Sequence, residues 1–245
     1  GPICGRKSGL VQANGGQLLA TSSPTIIPAG GPNPEGPLMR LFAGLLGVAK
    51  CEEGPRQLDL FMGWMKQARL ALQNVDTHLP GQMLALIGPR DCGKSLAQDM
   101  ITLALGGRSS DGESYLQDRT AFNVQLWGAE HIVLSDANLE DDPHRKRAFR
   151  DKIKGAVANP VYPLAKKYAD ELSLRPIWRI TMSANDDPQS AGVIPSPIAD
   201  PSLQDKVIYL KCFAPPEPFP TDGPDARAQF WQSLVDDLPG FLGCV

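Results

Sequence analysis

Short apolar runs alternate with longer amphipathic ones along this chain. MLALI (83–87), HIVLSD (131–136), IWRITMSAN (177–185) and KVIYLKCF (206–213) are apolar or nearly so. Such runs, set off by turn residues, suit strands buried on both faces of a parallel sheet. Elsewhere the period is helical. Leu58, Phe61, Met62, Met65 and Leu72 predict an amphipathic helix over 58–74, closed off by Pro80-Gly81. A second helix is predicted from Lys94 to Leu105, stopped by Gly106-Gly107. HRKRAFRDKIKGAV (144–157) predicts a strongly basic helix. A last helix over 225–238 has Phe230, Trp231, Leu234 and Leu238 on its apolar side. Strands alternating with helices argue an α/β fold, with a mostly parallel central sheet flanked by helices.

The first residues break this rhythm. Residues 1–37 are rich in Gly, Pro, Ser and Thr. LLATSSPTIIP (18–28) is expected to hold one or two short strands, and GGPNPEGP (30–37) reads as a turn-rich linker. The pattern divides the chain into a Gly/Pro-rich N-terminal segment, 1–57, and a main domain, 58–245. An opening Gly-Pro in place of Met is what a protease scar leaves, in which case the chain is a fragment of something longer.

Composition narrows the classes. With 245 residues and 42% hydrophobic content the chain can bury a sizeable core, and a net charge of −3 gives no global pull toward nucleic acid or membrane. Any basic surface must be local. No stretch is apolar enough for a membrane span. The five cysteines are scattered, odd in number and without a CxxC pair, which argues against a disulfide framework or zinc knuckle and for a reducing cytoplasm. His78, His131 and His144 lack ligand spacing and read as structural or surface residues.

The candidate chemistry lies at GPRDCGKS, which fits GxxxxGK[ST] at every fixed position. A strand is predicted to run into it and a helix out of it. Glycines let the backbone curl until successive N–H groups face one anion, and the following helix adds its positive end. Gly88, Pro89, Arg90, Asp91, Cys92, Gly93, Lys94 and Ser95 are thus the expected nucleotide-binding loop. Lys94 is expected to reach the β and γ phosphates and Ser95 to ligate Mg²⁺. Asp91 is expected to point outward, and Cys92 reads as a small packing residue rather than a nucleophile. Asp136, at the end of HIVLSD, is the candidate for the metal or for water. Glu140, Asp141 and Asp142 supply either a base or the solvated start of the next helix. Asn185 either positions water beside the γ phosphate or serves as a turn residue in SANDDP.

The order of these parts, with KIKGAVANPVYPLAKKYADELSLRPIWRITMSAN (152–185) between acid strand and Asn strand, resembles the superfamily 3 helicases of the AAA+ class. It is most similar to the primase-associated helicase domains of phages and mobile elements, over about residues 58–213. The resemblance implies a P-loop (Walker A) ATPase with ATP and Mg²⁺, a catalytic set of Lys94, Asp136 and Asn185, and a DNA-contacting hairpin carrying Lys154, Lys166 and Lys167. It also implies a ring, expected to be a hexamer, around single-stranded DNA, with a primase domain or protein as partner. The setting it implies is the cytoplasm of a bacterial or phage-infected cell. Two positions depart from the pattern. Ala137 stands where such a strand often carries a glutamate, and LQDKVIYL offers Lys206 alone where the family often has an Arg pair reaching the neighbouring subunit's nucleotide.

Charge patterning agrees with local DNA handling. Arg145, Lys146, Arg147, Arg150, Lys152 and Lys154 put six cations within ten residues, too many for one helix face. Lys166 and Lys167 beside Tyr168 offer charges for phosphates and a ring for a base. The leading expectation is therefore an ATP-dependent DNA helicase-like motor. The alternative is an ATP-binding replication or assembly scaffold with little or no hydrolysis and no unwinding. A P-loop kinase is a third option, but the basic strip precedes the Asn strand instead of forming a lid.

Overall fold

The computed structural model describes residues 1–135, 143–166, 172–187, 200–215, 219 and 223–245. Asn14-Gly15 closes the first unit, a hairpin of β1 (Gly9–Ala13) and β2 (Gly16–Ala20) with Ala13 opposite Gly16. Gly15 has φ +98°, as a two-residue hairpin turn of this kind requires. The strands thus start earlier than LLATSSPTIIP, because the Asn-Gly turn sets their register. Two helices follow, α1 (Pro37–Leu45) and α2 (Gly54–Gln73). The 57/58 border drawn on composition falls inside α2.

The apolar runs then form the sheet as the alternation predicts. β3 (Met83–Gly88) leads through the glycine loop to α3 (Lys94–Ala104). β4 (Ser109–Asp111) and α4 (Glu113–Leu116) are short, and β5 is His131–Ser135. α5 (Pro143–Ala158) is the basic helix, followed by β6 (Tyr162–Leu164) and β7 (Leu172–Leu174), paired antiparallel. β8 (Arg179–Asn185), β9 (Val207–Lys211) and α6 (Pro224–Cys244) complete the order. The main sheet has five strands, ordered β4-β5-β8-β3-β9, all parallel. Parallel pairing gathers the carboxyl ends of the strands on one edge, where an open α/β sheet carries its ligands.

Alternation along the strands splits the core in two. Met83, Ala85, Ile132, Leu134, Ile180, Met182 and Val207 face Trp127, Phe149, Ile153 and Trp178. Leu84, Leu86 and Leu210 face the side packed by α1, α2, α3 and α6. There Phe42, Phe61 and Phe241 form a triangle of rings 4.3, 5.2 and 6.4 Å apart. Truncating one of these buried rings to Ala is expected to cost about 3–5 kcal/mol.

The last helix overruns its predicted end at residue 238. Pro239-Gly240 reads as a stop, and Pro239 cannot donate to the helix ladder. The helix continues because Phe241 and Leu242 are buried beyond it. GGPNPEGP is strapped to this helix: Gly30 N donates to Pro239 O (2.8 Å) and Asn33 N to Gly240 O (3.1 Å). Asp237 accepts from Asn33 Nδ2 (2.7 Å) and Leu38 N (3.0 Å), fixing the entry to α1. Among the described residues no helix is long and apolar enough to cross a membrane.

Candidate nucleotide site

The loop after β3 is shaped by positions that tolerate little else. Gly88 stands opposite Asn185 in the β3–β8 register. A Cβ on Gly88 would lie 2.4 Å from the Cys212 carbonyl oxygen and 2.7 Å from its Cβ, so only glycine fits. Gly93 has φ +100° and Asp91 φ +57°, and these two left-handed residues turn the chain back into α3. Arg90 and Asp91 are exposed, Pro89 is half-buried, and Cys92 is buried. The α3 ladder begins with Ala97 N donating to Gly93 O. The N–H groups of Lys94, Ser95 and Leu96 precede it, at the positive end of the helix. Ser95 is exposed there, with its hydroxyl on the helix's first turn.

Lys94 is buried, and neutral groups hold its ammonium. Nζ donates to Pro89 O (2.6 Å), Gly88 O (2.9 Å) and Asn185 Oδ1 (3.2 Å), and lies 3.8 Å from Cys92 Sγ. Among the described residues no carboxylate pairs with it. Dipoles orient this cation without neutralising it, and a buried charge in that condition favours an incoming anion. Two sequence-predicted residues, Lys94 and Asn185, therefore meet, although 91 positions separate them. Asp136, with Ala137 and the Glu140–Asp142 acids, lies outside the described residues; β5 is described to Ser135, which pairs with Ser183.

A buried polar circuit beneath the loop ties α3 to the two strands beside it. Thr102 Oγ1 donates to Gln98 O (3.0 Å), so it accepts from His131 Nδ1 (2.7 Å). His131 Nε2 then accepts from Thr181 Oγ1 (2.9 Å), which accepts from Gln98 Nε2 (2.9 Å). The circuit closes only with a neutral imidazole, and burial holds His131 down at about 3. The sequence signal was polar residues inside apolar runs: the His opening HIVLS, the Thr of RITM, and Gln98 one turn beyond Lys94. Phe219, of the PPEPFP break, is a second residue the sequence did not single out. Its ring rests on Gly93, where a Cβ would meet Cζ at 2.7 Å, and lies 5.8 Å from the Phe230 ring.

The predicted basic residues fare differently. Lys154 donates to Asp200 Oδ2 (2.7 Å) and lies 3.5 Å from Asp151 Oδ1. The Lys154 hydrogen bond holds the Asp200 carboxyl down at about 2. Lys152 pairs with Asp118 at 2.7 Å, and Arg147 with Asp151 at 3.9 Å. Lys166 is exposed in the connection between β6 and β7, and Lys167 and Tyr168 lie outside the described residues. Lys206 precedes β9, at the end of the sheet opposite Lys94, and pairs with Asp205 at 2.7 Å.

No family model matches the chain, and no curated protein does. Among solved structures, the A form of the apo NrS-1 C-terminal region is similar with TM-score 0.64 at 14% identity, over 99% of this chain and 53% of that one. A second apo structure of that region gives TM-score 0.66 at 14% identity, over 98% and 53%. A slighter likeness, TM-score 0.39 at 13% identity over 84% and 53%, is to JCV helicase bound to a thiazolopyridinyl-phenoxyphenyl acetamide. The chain spans about half the length of these structures, and at such identity what is shared is the fold. That fold is a mixed α/β, P-loop NTPase-like one, with a central parallel sheet flanked by helices.

Proposed function

We propose that this chain is the ATP-driven motor of a superfamily 3-type DNA helicase, acting in replication of a phage, plasmid or mobile element. The observation that carries the reading is the Lys94 ammonium, buried, oriented by Gly88 O and Pro89 O, and left without a carboxylate among the described residues. Its remaining donor faces Asn185 Oδ1 and is the one a terminal phosphate would take. The donor set fits a polyphosphate: a glycine-shaped loop, three N–H groups at a helix start, and one buried cation. Ser95 and Asp136 would hold Mg²⁺, which when bound offsets phosphate charge. Lys94 grips the β and γ phosphates, and the Asn185 amide reports whether the γ phosphate is present. The polar circuit through Gln98, Thr181, His131 and Thr102 makes α3 and β8 move as one body, so a change at Asn185 is passed to the helix. Lys166 and Lys167, in the sequence between β6 and β7, are the hairpin contacts to single-stranded DNA, with Lys154 of α5 as a further basic residue. The working assembly is a hexameric ring, with Lys206 turned to the neighbouring subunit's nucleotide and a primase domain or protein as partner.

The Ala after Asp136 and the acid-paired Lys206 favour a second reading, an ATP-binding replication scaffold with little hydrolysis. ATP hydrolysis by the purified chain, with and without single-stranded DNA, separates the two. DNA-stimulated turnover that vanishes in Lys94→Ala supports the motor. ATP binding with no turnover in either condition, by a chain shown to be assembled, supports the scaffold.

A further inference from the structure

Phosphates and metal are only part of a nucleotide, and the base needs a site of its own. A base is flat, with polar edges and a π face, and proteins hold that face with aromatic rings. It has to lie over a flank of the loop that grips the phosphates. On the sheet side Gly88 packs against the Cys212 backbone, where even a methyl group finds no room. On the solvent side stand Arg90 and Asp91, both exposed, and no hydrogen bond or ion pair among the described residues holds either side chain. The remaining flank is apolar and ordered by packing. The Phe219 ring points its far edge at Gly93, with Cζ 2.7 Å and Cε2 3.0 Å from where a Cβ would stand. Glycine at 93 thus serves twice, giving the left-handed turn and the seat for the ring. The Phe230 ring lies 5.8 Å from the Phe219 ring, tilted by 40°. Phe230 and Leu96, on the first turn of α3, are half-buried against one core, and α6 packs along α3. Phe219 is itself half-buried, not enclosed.

We propose that Phe219 is the ring on which the nucleobase stacks, held in place by Phe230, an assignment that rests on the nucleotide reading above. Phe219 is a binding residue and touches no reacting atom. Stacking uses the π face that adenine and guanine share, so the ring favours a purine nucleotide over a bare polyphosphate without choosing between the two bases. Pro220 follows Phe219 in the sequence, and a residue before proline has few backbone states to lose when it is ordered. Phe230 belongs to α6, so a stacked base bears on that helix as well as on α3.

Calorimetric titration of the full chain with Mg·ATP, and separately with Mg·tripolyphosphate, tests this in the wild type, Phe219→Ala and Phe219→Tyr. Phe219→Ala is expected to weaken Mg·ATP about tenfold and to leave Mg·tripolyphosphate within about twofold. Phe219→Tyr keeps a ring and should bind Mg·ATP like the wild type. Mg·GTP should follow the Mg·ATP pattern in all three proteins. Phe219→Leu, which keeps bulk and loses the ring, serves in place of Phe219→Ala if the latter melts below wild type. A variant without the ring that weakens both ligands alike makes Phe219 a prop for the loop; one that tightens both makes it a cover over the phosphates. Either result overturns the proposal. A wild type that binds tripolyphosphate, with Mg·ATP affinity unmoved by loss of the ring, overturns the base site and leaves the phosphate loop standing. A wild type that binds neither ligand overturns both.

Discussion

Lys94 and Lys154 are both lysines that the sequence marks for anions, and the fold treats them in opposite ways. Lys94 is buried and held by two carbonyls and an amide. Lys154 is half-buried and held by Asp200 and Asp151. A cation oriented by dipoles keeps its charge for a ligand, whereas a cation paired with carboxylates must first lose a partner. The corner around Lys94 therefore offers a charge that no carboxylate among the described residues takes up, and the basic helix is largely self-satisfied: Lys152 and Arg147 also have carboxylates. By the same reasoning exposed Lys166 is a stronger candidate for the proposed DNA contact than Lys154, although charge density along the sequence points to α5.

Breaking the nucleotide corner without touching a charge should have the largest effect. Gly88→Ala places a methyl group against the Cys212 carbonyl, and urea unfolding is expected to show a loss of about 3 kcal/mol together with loss of ATP binding. Removing the support beneath the corner comes next. His131→Leu leaves the buried Thr181 hydroxyl without an acceptor and Thr102 Oγ1 without its incoming donor, at a cost of about 2–3 kcal/mol at pH 7. It should also flatten a pH dependence. In the wild type the His131 contribution is complete above about 6.5 and drains as pH falls toward about 3, because the unfolded chain takes up a proton that the folded one refuses. Melting temperature followed from pH 7 to pH 4 reads that slope.

The basic side sharpens the contrast with smaller effects. Asp200→Asn removes the nearer of the two carboxylates that hold Lys154 and should raise single-stranded DNA affinity up to a few-fold, with a salt slope steeper by at most about 0.7 in a fluorescence anisotropy titration. Lys154→Ala should change that affinity by less than about twofold, since the paired charge releases little counterion.

The sequence made some of this legible and hid the rest for physical reasons. Glycine spacing and apolar runs are local, so the loop after β3, the parallel strands and α3 could be read directly. Asn185 could be placed because strand ends gather on one edge of a parallel sheet. The Lys154–Asp200 pair spans 46 residues and has no local sign. The His131–Thr181 bond depends on β5 and β8 being neighbours, which alternation alone does not say. The end of α6 was misplaced because Pro-Gly is a local stop signal, and the burial of Phe241 and Leu242 overrides it.

The most direct test is calorimetric titration of the reduced full chain and of Lys94→Met with Mg·ATP, alongside the melting temperature of each without nucleotide. The account predicts binding by the wild type, weakened about a hundredfold or more in the variant, whose fold melts no lower because an unneutralised buried charge has been removed. Equal affinity in the two proteins, or a Lys94→Met variant that binds normally while melting well below wild type, would contradict it.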